Sequence, residues 1–124
     1  MNFEQLVRYT LEYNNQLRYY HWQTPSYAQH EALGKFYDSI TGILDGLVET
    51  WQGRNGNIKV DQGKVELVDY TDVETVIESA ENLRNIYEDF SKTITYQDIQ
   101  DQIDDMITQI NQTIYLLRLS LIHI

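Results

Sequence analysis

The chain has 124 residues, enough for one domain, residues 1–124, that buries about two-thirds of its unfolded surface without disulfides or structural metals. It contains no cysteine, which excludes disulfides and thiolate chemistry, and neither an apolar run of about 18 residues nor a secretion signal, so we expect a cytoplasmic protein without membrane contact. With 19 acidic against 9 basic residues, a net charge of −10 and no cluster of lysine or arginine, direct binding to nucleic acid is not expected.

Two amphipathic helices are predicted in the first half of the chain. From Phe3 to His21, apolar residues recur every three or four positions, the spacing of one helix face. Residues 23–26 end this helix, because the residue before a proline is biased away from helical geometry, and Ser26 can cap the next helix. The second helix runs from Tyr27 to Trp51, and the glycines of residues 53–56 stop it.

Two further helices are predicted in the second half. Thr71 and Glu74 have the spacing of a capping box and open an apolar run from Val73 to Phe90. Thr95, with Asp98 three residues on, gives a second start signal before an apolar run from Ile99 to Leu121. Both runs have helical spacing.

The segment between the second and third helices alternates apolar and polar residues over 58–67 around Gly63, which predicts a short β-hairpin. Four helices of about 20 residues bury their apolar stripes most simply as a four-helix bundle. If the long segment crosses that bundle, the second and third helices run parallel, as in ferritin-like bundles. We therefore expect an all-α fold, a ferritin-like four-helix bundle with a long crossover between the second and third helices.

Two imidazoles and two carboxylates are the candidate metal ligands: His21, His30, Asp45 and Glu49. Neutral imidazole nitrogen and carboxylate oxygen suit Fe(II), Mn(II) or Zn(II), and the mixture favours a redox or hydrolytic site over a structural zinc. Taken singly, a helical histidine is usually structural, as we interpret His123 in the C-terminal tail, and a D-x3-E pair is usually two solvated charges. The joint occurrence of all four residues favours metal binding.

These ligands cannot all meet within one subunit. Along the predicted helix His30 lies about 22 to 28 Å from Asp45 and Glu49, too far for one ion. Yet all three residues share one helix face with Gly34 and Asp38, within an arc of about 100°. A second copy, packed antiparallel about a two-fold axis near Asp38, would set His30 of one chain opposite the carboxylates of the other. We therefore predict two symmetric metal sites per dimer.

The first half of the chain resembles the Dps branch of the ferritin-like superfamily, especially small phage-encoded Dps-like proteins. The resemblance rests on residues 20–33 (Y-H-W-Q, then Y-A-Q-H-E-A-L), on residues 36–38 and on the later D-x3-E pair. The likeness covers the first two helices. The second half of the chain is similar only in its helix lengths and in the apolar character of the last helix.

In that family two histidines of one subunit and the D-x3-E pair of its two-fold mate form a ferroxidase centre. The resemblance implies that iron is bound, and Fe(II) oxidised by peroxide or oxygen, at these residues: His21, His30, Asp45 and Glu49. On this interpretation His21 and Glu49 hold the better-occupied ion, Asp45 supports it, and His30 orients water or binds a second ion weakly. The resemblance also implies homo-oligomerisation through the second helix into a hollow dodecamer that stores iron, in a host cytoplasm or a virion.

This chain departs from the family in two ways. The interval between the histidines is shorter, which predicts a tighter turn after His21. Gly34 stands where the family has a further aspartate, and Asp38, one turn on, replaces that ligand only if the helix rotates or the ion shifts. The lysine-rich N-terminal arm that holds DNA in some Dps proteins is also absent.

Two rival interpretations of the function differ from this one. The first is a non-enzymatic structural or virion assembly protein on a ferritin-like scaffold, with Gly34 as the sign of a lost metal centre. The second is an intrasubunit di-iron carboxylate site, which is disfavoured because Glu-x-x-His occurs nowhere in the chain.

Small and aromatic residues flank the candidate ligands. Gly42 and Gly46 each cost about 1 kcal/mol relative to alanine inside a helix, and we interpret them as points where a neighbouring helix approaches closely. Trp22 is interpreted as a core or interface aromatic, and the tyrosines around the junction of the first two helices as interface residues, in both cases in preference to redox donors.

Overall fold

The computed structural model describes residues 1–63 and 66–121. Lys64 and Val65 of the predicted hairpin, and His123, lie outside the described residues. Four helices follow in chain order: α1 (Phe3–Gln23), α2 (Tyr27–Asn55), α3 (Val73–Ser91) and α4 (Gln97–Leu119). The described residues contain no strand, so the prediction of an all-α fold with four packed helices is confirmed. None of these helices is long and apolar enough to cross a membrane.

The predicted start of α2 is confirmed, and its end lies one turn later than predicted. Ser26 caps the helix, because its hydroxyl oxygen accepts the backbone N–H of Gln29 at 3.2 Å and so satisfies one free amide of the first turn. Gly56 ends the helix with a φ of 81°, a left-handed conformation that glycine adopts at little steric cost. The helix extends to Asn55, one turn beyond the predicted end at Trp51.

The predicted start of α3 is wrong by one residue. The residue that caps the helix is Asp72, whose carboxylate accepts the backbone N–H of Thr75 at 2.8 Å. A carboxylate is at least as good an acceptor at this position as the hydroxyl of Thr71, and its negative charge also favours the positive end of the helix dipole.

The predicted cap of α4 is also wrong. The helix begins after Tyr96 without a side-chain cap, so Thr95 does not take this role. The acidic partner that a capping box would need, Asp98, instead accepts hydrogen bonds from the guanidinium of Arg54 in α2 at 3.1 Å. Asp98 thus binds a distant helix and the backbone N–H of Ile99, and it does not pair with Thr95.

Apolar side chains from all four helices form one core, in which α2 packs against both α1 and α4, and α3 packs mainly against α4. At one end, the ring of Phe3 in α1 stacks on Trp51 in α2 with centroids 4.1 Å apart, and Phe90 in α3 lies 6.0 Å from Phe3. The C-terminal ends of α2 and α3 therefore meet beside the N-terminus of α1.

The described residues of the connection between α2 and α3, 56–63 and 66–72, lie against α1 and do not form the predicted hairpin. The side chain of Gln16 accepts the backbone N–H of Val68 and donates to its carbonyl, both at 2.7 Å. Glu4 and Gln23 of α1 accept further backbone N–H groups nearer the two ends of the segment. Because side chains of α1 satisfy these backbone groups, the segment does not require a second strand.

Tyr87 provides a test of the core. Its side chain is fully buried, and its hydroxyl lies 2.7 Å from that of Thr10, which lies 2.7 Å from the carbonyl oxygen of Leu6. Because a carbonyl only accepts, Thr10 donates to Leu6 and Tyr87 donates to Thr10. We expect Tyr87→Phe to lower the free energy of unfolding by about 1 kcal/mol in urea denaturation, since it removes one buried hydrogen bond.

The matched control is Thr10→Val, alone and combined with Tyr87→Phe. If the two hydroxyls stabilise the fold through each other, the double variant loses less stability than the sum of the single variants. Strict additivity of the two losses would contradict the assigned hydrogen bond.

Asp72 makes the stability of α3 depend on pH. Side-chain and backbone hydrogen bonds from Thr75 lower the pKa of the Asp72 carboxyl below its ordinary value of 3.8. A lowered pKa in the folded state means that this contribution is complete above pH 3.8 and is lost as the pH falls through the folded-state pKa. We expect Asp72→Asn, which keeps an oxygen acceptor that does not titrate, to be less stable than wild type near neutral pH. The difference should shrink in acid, and parallel pH profiles of the thermal midpoint would contradict it.

Candidate metal centre

His21 in the last turn of α1 and His30 in the first turn of α2 form a stacked pair. Their ring centroids are 3.8 Å apart and the ring planes differ by 15°. Nδ1 of His21 lies 2.6 Å from the carbonyl oxygen of His30, and Nδ1 of His30 lies 2.7 Å from the carbonyl oxygen of His21. Only residues 24–26 separate the two helices, so the short interval between the histidines gives a tight turn that brings the rings together.

These reciprocal hydrogen bonds determine which ring nitrogen carries the proton. A carbonyl oxygen only accepts, so both Nδ1 atoms are donors, and in the neutral rings both Nε2 atoms hold a free lone pair. Within the described part of the chain, neither Nε2 has a hydrogen-bond partner. A backbone carbonyl on the second nitrogen is the usual support of a metal-binding histidine, because it fixes the tautomer and orients the ring.

Gly34 lies directly beneath the ring of His21. A Cβ atom at this position would be 2.9 Å from Cε1 of His21, closer than real contacts allow, and 3.2 Å from Nδ1, which is tighter than most. On the Dps resemblance, Gly34 stands where the family has a carboxylate. The contact with His21 gives a physical reason for a glycine here. With the histidines held as they are, the imidazole occupies the space that a side chain at position 34 would need.

Asp38, Asp45 and Glu49 lie on the outward face of α2 and are exposed. None of the three carboxylates forms a hydrogen bond or ion pair within residues 1–63 and 66–121. Asp45 and Glu49 border a surface hollow of about 430 Å³ whose other walls are apolar, among them Leu11 and Val48. The acidic end of the predicted site is therefore open to a molecule from outside the chain.

A single chain does not bring the histidines and the carboxylates together. They stand on the same helix with about 22 Å between His30 and Asp45. In the part of one chain that the structure describes, no group of three or more histidine, aspartate or glutamate side chains could hold a metal ion.

Other residues near the histidines differ in part from expectation. Trp22 is 64% exposed and does not belong to the core. Tyr37 lies edge-on to His21 at 5.4 Å, and the guanidinium of Arg18 sits 4.5 Å above the Tyr37 ring. Sequence reasoning missed Arg18, although its position one turn before His21 on α1 was a usable signal.

The two glycines predicted to permit a close helix approach have different surroundings. A Cβ atom at Gly42 would meet nothing within 4 Å, and one at Gly46 would meet only the side-chain amide of Gln102 at 3.5 Å, an ordinary contact. Neither glycine is therefore required by packing inside the chain.

Comparison with known proteins places this chain in a family. The model of a family of unknown function (DUF5856) matches residues 21–117, most of the chain. The chain belongs to this family. The matched range includes all four predicted ligands: His21, His30, Asp45 and Glu49. No curated protein and no solved structure matches the chain.

Gly34→Ala tests the contact beneath His21. The added methyl group would lie 2.9 Å from the imidazole, so we expect the ring of His21 to move and the stacked pair to separate. In wild-type protein, ring ¹⁵N spectra should show both Nδ1 atoms protonated, and Gly34→Ala should change the His21 signals. The control is Gly53→Ala, also in α2, where a Cβ meets nothing within 4 Å. Identical histidine signals in all three proteins would contradict the described contact.

Proposed function

We propose that this chain is a Dps-like iron-binding protein that assembles through the outward face of α2 and oxidises Fe(II) between subunits. In each site His21 and His30 belong to one subunit, and Asp45 and Glu49 belong to its partner. The observation that carries the proposal is the reciprocal pair of hydrogen bonds, because it leaves the Nε2 lone pairs of two adjacent imidazoles free for a metal.

The course of the chain supports a ferritin-like bundle. The C-terminal ends of α2 and α3 both lie beside the N-terminus of α1, so α2 and α3 point in the same direction. The connection between them contacts α1 through Glu4 near its start and Gln23 near its end. A connection of this length between parallel helices is the crossover expected of ferritin-like bundles.

The exposed face of α2 supports a two-fold arrangement. Asp38 stands eight residues after His30 and eight before Gly46, so an axis through Asp38 sets His30 opposite residue 46 of the partner subunit. Asp45 and Glu49 flank that position within about one helical turn. Asp38 itself lies near the axis, where it is the nearest further carboxylate for a second ion.

The donor set fits iron as a substrate. Imidazole nitrogen and carboxylate oxygen both bind Fe(II), and carboxylates favour the harder Fe(III), so the site assists the loss of an electron. Two Fe(II) ions give one electron each to peroxide, whose O–O bond breaks and which takes up two protons to form two water molecules. Mn(II) and Zn(II) suit the same donors and should compete with iron.

Mixed subunits give the decisive test. We expect His30→Ala and Glu49→Ala each to slow Fe(II) oxidation at least tenfold at low iron, measured by Fe(III) absorbance after addition of peroxide or oxygen. Refolded together, the two variants should regain about a quarter of the wild-type sites, because half of the randomly formed dimers carry one intact site.

Asp104→Ala, which removes an exposed acid of α4, is the control and should oxidise iron like wild type. Equal, slow oxidation by wild type and all variants would instead favour the non-enzymatic assembly protein. Loss of activity in each variant without recovery in the mixture would exclude a site shared between subunits.

A further inference from the structure

We propose that the surface hollow beside Asp45 and Glu49 receives an aromatic corner from a second copy of this chain. The aromatic corner comprises Tyr19, Trp22 and Tyr27, which surround the turn between α1 and α2. The inference rests on the two-fold arrangement of the proposed function and adds the apolar contact that holds the two chains together.

The aromatic corner has little cover within its own chain. Trp22 is 64% exposed and Tyr27 is 77% exposed. Tyr19 packs edge-on against Trp22 with centroids 5.5 Å apart, so the two rings form one projecting surface. Large aromatic side chains in such positions are typical of interface anchors, because they bury much apolar area at a small entropic cost.

The hollow offers a matching apolar surface. Leu11 of α1 is 54% exposed at its rim, and Leu44, Val48 and Ile58 line it. A second cavity of about 180 Å³ adjoins it, since Leu11 and Ile58 also line that cavity together with Val60. The two cavities form a continuous groove, which we call the Leu11 groove.

The register of α1 and α2 brings the aromatic corner of one chain to the Leu11 groove of the other. The ring stacks Phe3–Trp51 and His21–His30 show that the two helices run antiparallel along their whole length. The groove therefore lies level with the C-terminal half of α2, and the corner lies level with its N-terminal end. A two-fold axis near Asp38 therefore places the aromatic corner of one chain beside the Leu11 groove of the other.

Charge favours the same pairing. At the level of the corner lie two cations, Arg18 and Lys35, and two acids, Glu31 and Asp69, the latter accepting a hydrogen bond from Gln23. The groove is lined by two cations, Arg8 and Lys59, and by four acids, Glu4, Asp45, Glu49 and Asp61. Antiparallel pairing sets the less acidic half of each face against the more acidic half of the other, which favours the correct orientation.

Cysteine cross-linking tests the contact, because the natural chain has no cysteine. In a chain with Leu11→Cys and Trp22→Cys, the two sulfurs lie about 16 Å apart along α1, too far for an intrachain disulfide. We expect mild oxidation to give covalent dimers joined between residues 11 and 22, identified by mass spectrometry of the joined peptides. The control pair is Leu11→Cys with Tyr115→Cys, which replaces an equally exposed aromatic of α4 (62%) and should give none. Failure of the first pair, or equal yields from both, would overturn the proposal.

Sedimentation velocity gives an independent measurement. We expect Trp22→Ala and Leu11→Asp to weaken dimerisation at least tenfold, and Tyr115→Ala to leave it unchanged, with helicity checked by circular dichroism. A monomeric wild type, or dimers weakened only by Tyr115→Ala, would overturn the proposal. If mixed His30 and Glu49 variants regain oxidation while Trp22→Ala has no effect, the shared site stands and this contact is wrong. Cross-linked dimers that oxidise no iron would support the contact and contradict the proposed oxidation of Fe(II).

Discussion

The register between α1 and α2 is the constraint on which the other features depend. Stacked rings fix it at both ends, Phe3 on Trp51 and His21 on His30. Between them the buried side chain of Asn14 donates to a backbone carbonyl of α2 at 3.0 Å. A shift of one residue would break all three contacts and leave a buried amide unsatisfied, which is costly. This register also determines where the surface hollow lies.

His30, Asp45 and Glu49 lie on the same helix, α2, which holds His30 far from the two carboxylates. A helix is stiff over its length, so no side-chain rearrangement closes a gap of about 22 Å between His30 and Asp45. Under the proposed function, complete coordination therefore requires two chains, and the ligands of each chain remain incomplete until assembly. Binding and association are then thermodynamically linked, because each favours the other by the same free energy.

The sequence predicts the helices, which depend on near neighbours, better than the contacts between distant residues, although it also misses one local feature, the cap of α3 by Asp72. Apolar periodicity predicts all four helices, and Ser26 is a correct cap because its partner lies three residues away. The cap of α4 fails because Asp98 binds Arg54, a residue of another helix that no local pattern indicates. At the candidate site, the sequence suggests possible ligand residues and does not predict the stacking of the histidines. On the Dps resemblance Gly34 is therefore interpreted as a lost carboxylate, although the glycine makes room for the His21 ring.

Gln16 of α1 binds the backbone of the segment that connects α2 to α3. Its primary amide contacts both polar groups of one peptide unit, the N–H and the carbonyl of Val68, as the edge of a neighbouring strand would. These two hydrogen bonds do not involve the side chain of Val68, which is exposed. The side chain at position 68 can therefore change while this contact with α1 is kept, whereas Asp61, Asp69 and Tyr70 contact α1 or α2 through their own side chains.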